Sequence, residues 1–227
     1  MEVNMDIKLL SQAIIKFLFG FIIVGLLLFI PAGTLKYTNG WIFMGLLFIP
    51  MFLAGIFLLF KNPNLLRIRL NAKEQELEQK KVVLYSALMF VIGFIIAGLD
   101  YRYKWLELPK IVPIIGSIIF IISYLLYAEV LRENTYLSRT IEVKDNQKVI
   151  DTGMYGIVRH PMYLITIILF QSMPLVLGSL ISFIVFLIYP FIIIKRIKNE
   201  EIVLEKELKG YKEYKEKVKY RLIPFVW

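Results

Sequence analysis

"PMYLITIILFQSMPLVLGSLISFIVFLIYPFIII", residues 161–194, is a run of 34 residues without a charged side chain. A single helix of this length would measure about 51 Å, well beyond the ~30 Å hydrocarbon core of a bilayer. Pro174 and Gly178 interrupt the run, and residues of these types mark a tight turn between helices. The run therefore predicts a helical hairpin with one arm over Pro161–Leu177 and the other over Ser179–Ile194. Each arm is short for a complete membrane span.

Four more apolar runs precede the hairpin, and 58% of the 227 residues are hydrophobic. This fraction exceeds the ~45–50% that is usual in soluble domains. We predict an all-α, polytopic integral membrane protein with about six transmembrane helices, the last two of which form the hairpin. The first four are predicted over about 10–30 (ending at Pro31), Trp41–Phe60, Val82–Leu99 and Pro109–Leu131.

The basic residues divide unequally between the two ends of these helices. With both termini on one side, that side carries 22 Lys and Arg residues and the other carries 4. Cytoplasmic loops are enriched in Lys and Arg, so this distribution predicts that both termini lie in the cytoplasm. The net charge of +9 is accordingly ascribed to contact with anionic membrane lipids, and nucleic acid is not expected as a partner.

Two stretches on the same side have helical patterns without being spans. Residues 62–81 place leucines before a charged tract and predict a helix that lies on the membrane surface. Residues 195–219 carry an apolar stripe among Lys and Glu and predict a cytoplasmic amphipathic helix at the C-terminus. We divide the chain, as one integral unit, into a transmembrane part over 1–131 and a catalytic, cofactor-binding part over 132–227.

Composition excludes several kinds of chemistry. The chain has no cysteine and one histidine, so disulfides, thiolate nucleophiles and cysteine-bound zinc are excluded, and no metal site is expected. No glycine-rich dinucleotide motif, P-loop or Ser-centred nucleophile elbow is present. The acidic N-terminus and the lack of a small-residue cleavage site argue against a cleavable signal peptide.

Polar residues gather where the hairpin begins, in "GMYGIVRHPMYLI", residues 153–165. Proline is favoured at the first position of a helix, which places His160 near the N-cap and Tyr163 one turn deeper. The exposed amides at such a helix end attract anionic groups. The alternative interpretation is a capping histidine, an interfacial tyrosine and an arginine, Arg159, bound to a lipid phosphate. Residue types alone leave both interpretations open, and the same holds for Tyr155 in the preceding loop.

A second polar group, "RIKNEE", follows the hairpin directly. Arg196 and Glu200 are one helical turn apart and face the same way. Glu200 and Glu201 are adjacent and point about 100° apart, so they are not expected to act on one atom. A snorkelling arginine in a solvated ion pair is the alternative interpretation.

The order and spacing of these motifs resemble the isoprenylcysteine carboxyl methyltransferase family. The resemblance rests on the Gly-x-Tyr loop, "RHPMY", the short hairpin, "NEE" and "LKGYKEYKEKVKYRLIP", and covers about 150–224. It implies an enzyme that binds S-adenosylmethionine without a Rossmann fold and methylates a lipophilic acceptor entering from the bilayer. The expected acceptor is a carboxylate such as that of a prenylated cysteine, and the active site is expected on the cytoplasmic side. A phospholipid amine is the alternative acceptor.

Carried over position by position, the resemblance implies roles for eleven residues. Arg196 is expected to face the methyl acceptor, and His160 or Glu201 is the candidate base if the acceptor is an amine. The residues expected to bind the cofactor are Gln147, Val149, Ile150, Tyr155, Arg159, His160, Pro161, Tyr163 and Glu200.

The sequence departs from the family pattern at two places, and two other functions are compatible with it. Ile165 stands where relatives commonly have glycine and is expected to crowd a helix contact or narrow the cofactor pocket. "KGYKEY" replaces the usual "FGEEY". Sterol reductases, which use NADPH, share a related "RHPxY" element, which makes a membrane reductase the main rival. A membrane scaffold without catalysis is the third possibility.

Overall fold

The computed structural model describes residues 7–70, 77–137, 143 and 146–227, and within them the chain is helical without any strand. One 3-10 turn, Gly153–Gly156, precedes the hairpin. The nine α-helices of this part of the chain are α1 (Ile7–Ala32), α2 (Thr38–Lys61), α3 (Pro63–Leu70), α4 (Leu77–Tyr103), α5 (Ile111–Glu133), α6 (Pro161–Leu177), α7 (Leu180–Phe186), α8 (Tyr189–Glu207) and α9 (Tyr211–Lys217).

Five helical stretches are long and apolar enough to cross a membrane: α1, α2, Gln79–Tyr103 of α4, α5, and Leu180–Glu207, which joins α7 and α8. The sixth apolar helix, α6, is shorter, at 17 residues. The prediction of an all-α, polytopic membrane protein with a C-terminal helical hairpin is therefore confirmed. Large apolar side chains remain exposed along α1, α2, α4 and α5, as expected of surfaces that face lipid.

The hairpin turns at Gly178. This residue has a φ of +75°, a left-handed conformation that glycine adopts without steric cost, and α6 ends there. Ser179 then caps α7, because its Oγ accepts a hydrogen bond from the Ser182 N–H at 3.2 Å. The same hydroxyl donates to the buried carboxylate of Asp100 in α4 at 2.6 Å. Pro174 lies inside the last turn of α6 and does not end the helix.

The second arm, predicted as one helix over Ser179–Ile194, is interrupted, which corrects that prediction. α7 ends at Phe186 and α8 begins at Tyr189. Pro190 has no N–H to donate to the carbonyl four residues earlier, that of Phe186. The Gln171 side chain of α6 donates to that carbonyl instead, at 2.6 Å. The break thus lies where a side chain replaces the missing backbone hydrogen bond.

Three further predicted boundaries are wrong. α1 continues through Pro31 and ends at Ala32, before Gly33 turns the chain with a φ of +67°. The predicted surface helix over 62–81 is replaced by the eight-residue α3, while 77–81 belong to α4 and 71–76 lie outside the described residues. The predicted helix over 195–219 is divided into α8 and α9, because Gly210 has a φ of +87° and starts a new helix.

Close packing brings the ends of four helices together. α5 lies along α6 at Gly116, where an added Cβ would be 2.8 Å from Cβ of Leu175. At one end of the bundle, the Tyr37 hydroxyl donates to the Leu177 carbonyl at 2.7 Å. The opposite end therefore combines the start of α4, the end of α5, the start of α6 and the second half of α8. The polar residues predicted to form a site lie at this end.

Candidate functional site

The loop before α6 is held by a carboxylate at the end of α5. Glu133 accepts hydrogen bonds from the Thr152 hydroxyl at 3.1 Å and from the Met154 N–H at 3.3 Å. Gly153 has a φ of +49°, and an added Cβ would overlap the Glu133 carboxylate. The loop therefore needs glycine at this position to fold tightly. This turn buries Tyr155, which is 6% exposed, next to the start of α6.

His160 occupies the N-cap position of α6 and Pro161 the first helical position, as predicted. The His160 side chain makes no capping hydrogen bond, so the interpretation of a merely capping histidine is wrong. The backbone N–H groups of Arg159 and His160 donate to the carbonyls of Tyr220 and Arg221, each at 2.9 Å. The segment after α9 is thereby fixed against the start of α6.

The imidazole of His160 meets a buried carboxylate, that of Glu201. His160 Nε2 lies 3.3 Å from Glu201 Oε1, and the same oxygen accepts from Arg159 Nε at 2.8 Å. Arg221 Nε donates to the other oxygen at 2.8 Å. Arg159 also donates through Nη1 to the carbonyls of Val218 and Lys219. Glu201 is 3% exposed, so this ion cluster is shielded from water and joins α8, the start of α6 and the C-terminal segment.

Glu200 points into a different chain of contacts. The Tyr163 hydroxyl donates to Glu200 Oε2, and Arg196 Nε donates to the Tyr163 hydroxyl at 2.9 Å. Arg196 Nη1 in turn donates to Gln79 Oε1 of α4 at 3.2 Å. Arg196 is only 8% exposed, which excludes the interpretation of a solvated, snorkelling arginine. Contacts thus run from Glu200 across α6 to the beginning of α4.

These groups border a cavity that is partly open to solvent. The lining includes every residue predicted to bind the cofactor except Pro161, and it includes Arg196 but not Glu201. The residues that line it are Asn134, Tyr136, Leu137, Gln147, Lys148, Val149, Ile150, Tyr155, Arg159, His160, Met162, Tyr163, Arg196, Glu200, Leu204, Leu208, Tyr211 and Tyr214.

Three tyrosines that line the cavity, Tyr136, Tyr211 and Tyr214, were not predicted as site residues. Tyr214 donates to the Tyr155 carbonyl at 2.7 Å and so attaches α9 to the loop before α6. The Tyr211 hydroxyl is buried and has no hydrogen-bond partner in the described parts of the chain. Burial, and then the charges of Glu201 and Glu200, raise the pKa of Tyr211, so its phenol stays protonated. The spacing of three residues in "YKEY", which places the rings of Tyr211 and Tyr214 on one face of a helix, was the available signal.

Ile165 does not line the cavity, contrary to one expectation drawn from the sequence. Its side chain is 3% exposed and packs with Val130 and Tyr155 in an apolar cluster below the cavity. Ile165, on α6, therefore packs in one cluster with Tyr155 and with Val130 of α5. Across residues 7–70, 77–137, 143 and 146–227, no group of three or more His, Asp or Glu side chains is placed to hold a metal ion.

Comparison with known proteins finds similarity to one curated protein and to one protein family. A stretch of 91 residues is 32% identical to the Delta(14)-sterol reductase of Mus musculus, covering 39% of this chain and 22% of that protein. The chain thus spans about a fifth of the length of this curated relative. Residues 114–206 match the isoprenylcysteine carboxyl methyltransferase (ICMT) family, and this segment runs from α5 to α8 and holds most of the cavity lining. The resemblance to this family predicted from the sequence is thereby confirmed over residues 114–206, which make up about two fifths of the chain.

Proposed function

We propose that this chain is an S-adenosylmethionine-dependent membrane methyltransferase acting on a lipophilic acceptor, with a carboxylate such as that of a prenylated cysteine as the preferred group. The observation that carries the proposal is the cavity at one end of an apolar helical bundle. There a carboxylate, an imidazole, a guanidinium and buried phenols converge beside surfaces suited to lipid.

The polar and aromatic side chains that line the cavity fit S-adenosylmethionine. The cofactor has an ammonium, a carboxylate, two ribose hydroxyls, an adenine and a sulfonium. Glu200 suits the ammonium or a ribose hydroxyl, and the rings of Tyr155 and Tyr211 suit adenine. The buried hydroxyl of Tyr211 has no partner in the described residues, and a ligand oxygen or nitrogen would satisfy it.

The Glu201 cluster defines how His160 contributes. Because Nε2 faces the Glu201 carboxylate, that nitrogen carries a proton, and Nδ1 is the remaining polar atom of the ring. Two arginines donate to the same carboxylate, so Glu201 is fully occupied within the protein. We propose that Glu201 is a positioning residue for His160 and the C-terminal segment, in place of the role as a base expected from the sequence.

Arg196 is the proposed contact for the methyl acceptor. When bound, S-adenosylmethionine supplies a methyl group whose transfer to a carboxylate oxygen forms an ester and leaves a neutral thioether, with no proton released. The protein therefore needs to orient and desolvate the acceptor, and no general base is required. Arg196 is fixed at Nε and Nη1 and lines the cavity, which suits a group that positions an anion.

The bundle gives the proposed route for the acceptor. A prenyl or acyl chain would remain in the bilayer against the apolar helices while its polar head reaches the cavity. Both termini and the cavity would then lie on the cytoplasmic side, where most Lys and Arg residues are found.

A reductase that uses NADPH is the second candidate, favoured by the similarity to a sterol reductase. Its cofactor carries an additional 2′-phosphate, which requires cationic groups. The cationic side chains in the cavity lining are Lys148, Arg159 and Arg196, and Arg159 is already bound to Glu201 and to two backbone carbonyls. This arrangement favours the methyltransferase.

The test is to incubate membranes containing the protein with S-adenosylmethionine labelled in its methyl group. We expect label in the lipid fraction that mild alkali releases as methanol, because a methyl ester is labile to base. Label that resists alkali would indicate an N-methylated phospholipid. Absence of label, together with oxidation of NADPH in the presence of a sterol, would contradict the proposal and favour the reductase.

A further inference from the structure

Gln79, at the start of α4, is buried. It is the last residue in the chain of hydrogen bonds that runs from Glu200 through Tyr163 and Arg196. Its side chain is 1% exposed, and it lies in the charged sequence "KEQELEQKK". The sequence pattern does not distinguish Gln79 from a solvent-exposed glutamine, because the residues around it are mostly charged.

The Gln79 side chain has one defined orientation. Arg196 Nη1 donates to its Oε1 at 3.2 Å. A guanidinium has no acceptor, so the reverse orientation of the amide would set two donors against each other. The Nε2 edge must therefore face away from Arg196.

That Nε2 atom has no hydrogen-bond partner in the described part of the chain. Leaving a buried amide donor without a partner costs free energy, and such groups in native proteins commonly bind a ligand or an ordered water. The guanidinium beside it is held on one edge by Tyr163 and on another by Gln79. A fixed cation that lines the cavity and the unsatisfied donor of Gln79 thus lie side by side, where α8 meets the start of α4.

We propose that Gln79 is a specificity-determining residue which, through Nε2, donates a hydrogen bond to a carboxylate oxygen of the methyl acceptor while its Oε1 holds Arg196 in place. This inference rests on the proposed function and narrows it. The Gln79 amide and the Arg196 guanidinium are two neighbouring hydrogen-bond donors, and because one of them is a cation they fit an anionic oxygen acceptor. A phospholipid ammonium would bring a third donor to the same place and would be disfavoured.

The test compares the wild-type protein with Gln79→Glu and Gln79→Met. Gln79→Glu keeps an oxygen toward Arg196 but replaces the donor edge with a second oxygen. Gln79→Met keeps similar bulk and removes both polar atoms. The acceptors are N-acetyl-S-farnesylcysteine, which presents a carboxylate, and phosphatidylethanolamine, which presents an amine. Affinity for S-adenosylhomocysteine is measured by isothermal titration in every variant.

We expect wild-type protein to methylate the carboxylate and both variants to raise KM for it by roughly 10- to 100-fold. Affinity for S-adenosylhomocysteine should stay within about twofold of wild type, since the cofactor is proposed to bind beside Glu200, at the opposite end of this chain of hydrogen bonds. Gln12→Glu is the matched control, because Gln12 is exposed on α1 and does not line the cavity. It should leave KM for the carboxylate unchanged.

The outcomes separate the two proposals. Failure of wild-type protein to bind S-adenosylhomocysteine would overturn the proposed function itself. Binding accompanied by methylation of the amine alone, or of neither acceptor, would overturn the inference about the acceptor. An unchanged KM for the carboxylate in Gln79→Glu and Gln79→Met, with S-adenosylhomocysteine bound normally, would overturn the role of Gln79.

Discussion

Glu200 and Glu201 are neighbours in the sequence, yet their carboxylates have different surroundings. Glu200 lines the cavity and accepts from Tyr163, whereas Glu201 is enclosed by His160 and two arginines. The separation of about 100° between adjacent helical side chains explains the difference. A substitution of Glu200 should therefore lower ligand affinity, whereas a substitution of Glu201 should lower the stability of the protein.

Glu200→Ala should weaken binding of S-adenosylhomocysteine by roughly 10- to 100-fold, since it removes a charged hydrogen-bond acceptor from the cavity. Isothermal titration in detergent measures the loss. Glu207→Ala, on the exposed end of the same helix, is the control and should bind normally. Equal affinity in Glu200→Ala and wild-type protein would show that Glu200 does not contact the cofactor.

Glu201→Ala should reduce stability more than any other single carboxylate removal at the site. It leaves the buried guanidinium of Arg159 without its carboxylate partner, a change that typically costs about 3–5 kcal/mol. The apparent Tm in detergent should fall by roughly 10 °C. A Tm within about 2 °C of wild type would show that the cluster does not join the C-terminal segment to α6.

Arg196→Ala should separate binding from turnover. The variant should retain affinity for S-adenosylhomocysteine, because Arg196 is proposed to contact the acceptor alone. Methylation measured as alkali-labile label should fall by roughly 100-fold or more, since an oriented cation is lost from the reacting anion. Loss of S-adenosylhomocysteine binding in this variant would place Arg196 on the cofactor side of the cavity.

At the scale of elements, the loop over Gly153–Gly156 positions Tyr155 through its contact with Glu133. Gly153→Ala places a Cβ against that carboxylate at a positive φ, so the loop must move. We expect S-adenosylhomocysteine affinity to fall by about tenfold, measured by titration. Gly55→Ala, where an added Cβ meets nothing within 4 Å, is the control and should bind as wild type does. Normal binding in Gly153→Ala would show that this loop does not shape the cavity.

The sequence predicted the elements whose signals are local. The hairpin followed from its length and from Gly178, and the N-cap position of His160 followed from Pro161. The break before Tyr189 was missed, although Pro190 stands at the start of α8 as prolines commonly do at the start of a helix. Pairing of Tyr220 and Arg221 with the start of α6 joins segments about 60 residues apart and has no periodic signal. For the same reason, the contact between Gln79 and Arg196 could not be foreseen.

At the scale of the whole molecule, the number of times the chain crosses the membrane determines which of its segments lie on the same side. α6 has 17 residues and a length of about 26 Å, slightly less than the ~30 Å hydrocarbon core. Its start lies at the cavity, however, and its end meets Tyr37 at the opposite end of the bundle. α6 therefore returns the chain through the full bundle, and we expect residues 8 and 209 to lie on the same side of the membrane.

The chain contains no cysteine, so single cysteines can test this topology. Lys8→Cys and Lys209→Cys should react with a membrane-impermeant maleimide from the same face of oriented vesicles, and Leu35→Cys only from the other face. All three positions are exposed. Reaction of Lys8→Cys and Lys209→Cys from opposite faces would contradict the arrangement.

The central claim is that the cavity bounded by α5, α6, α8 and α9 binds a methyl donor of the S-adenosyl type. Isothermal titration of the purified wild-type protein with S-adenosylhomocysteine, and separately with NADPH, tests it most directly. We predict saturable binding of S-adenosylhomocysteine at one site per chain and no measurable heat with NADPH. Binding of NADPH without binding of S-adenosylhomocysteine would contradict the account.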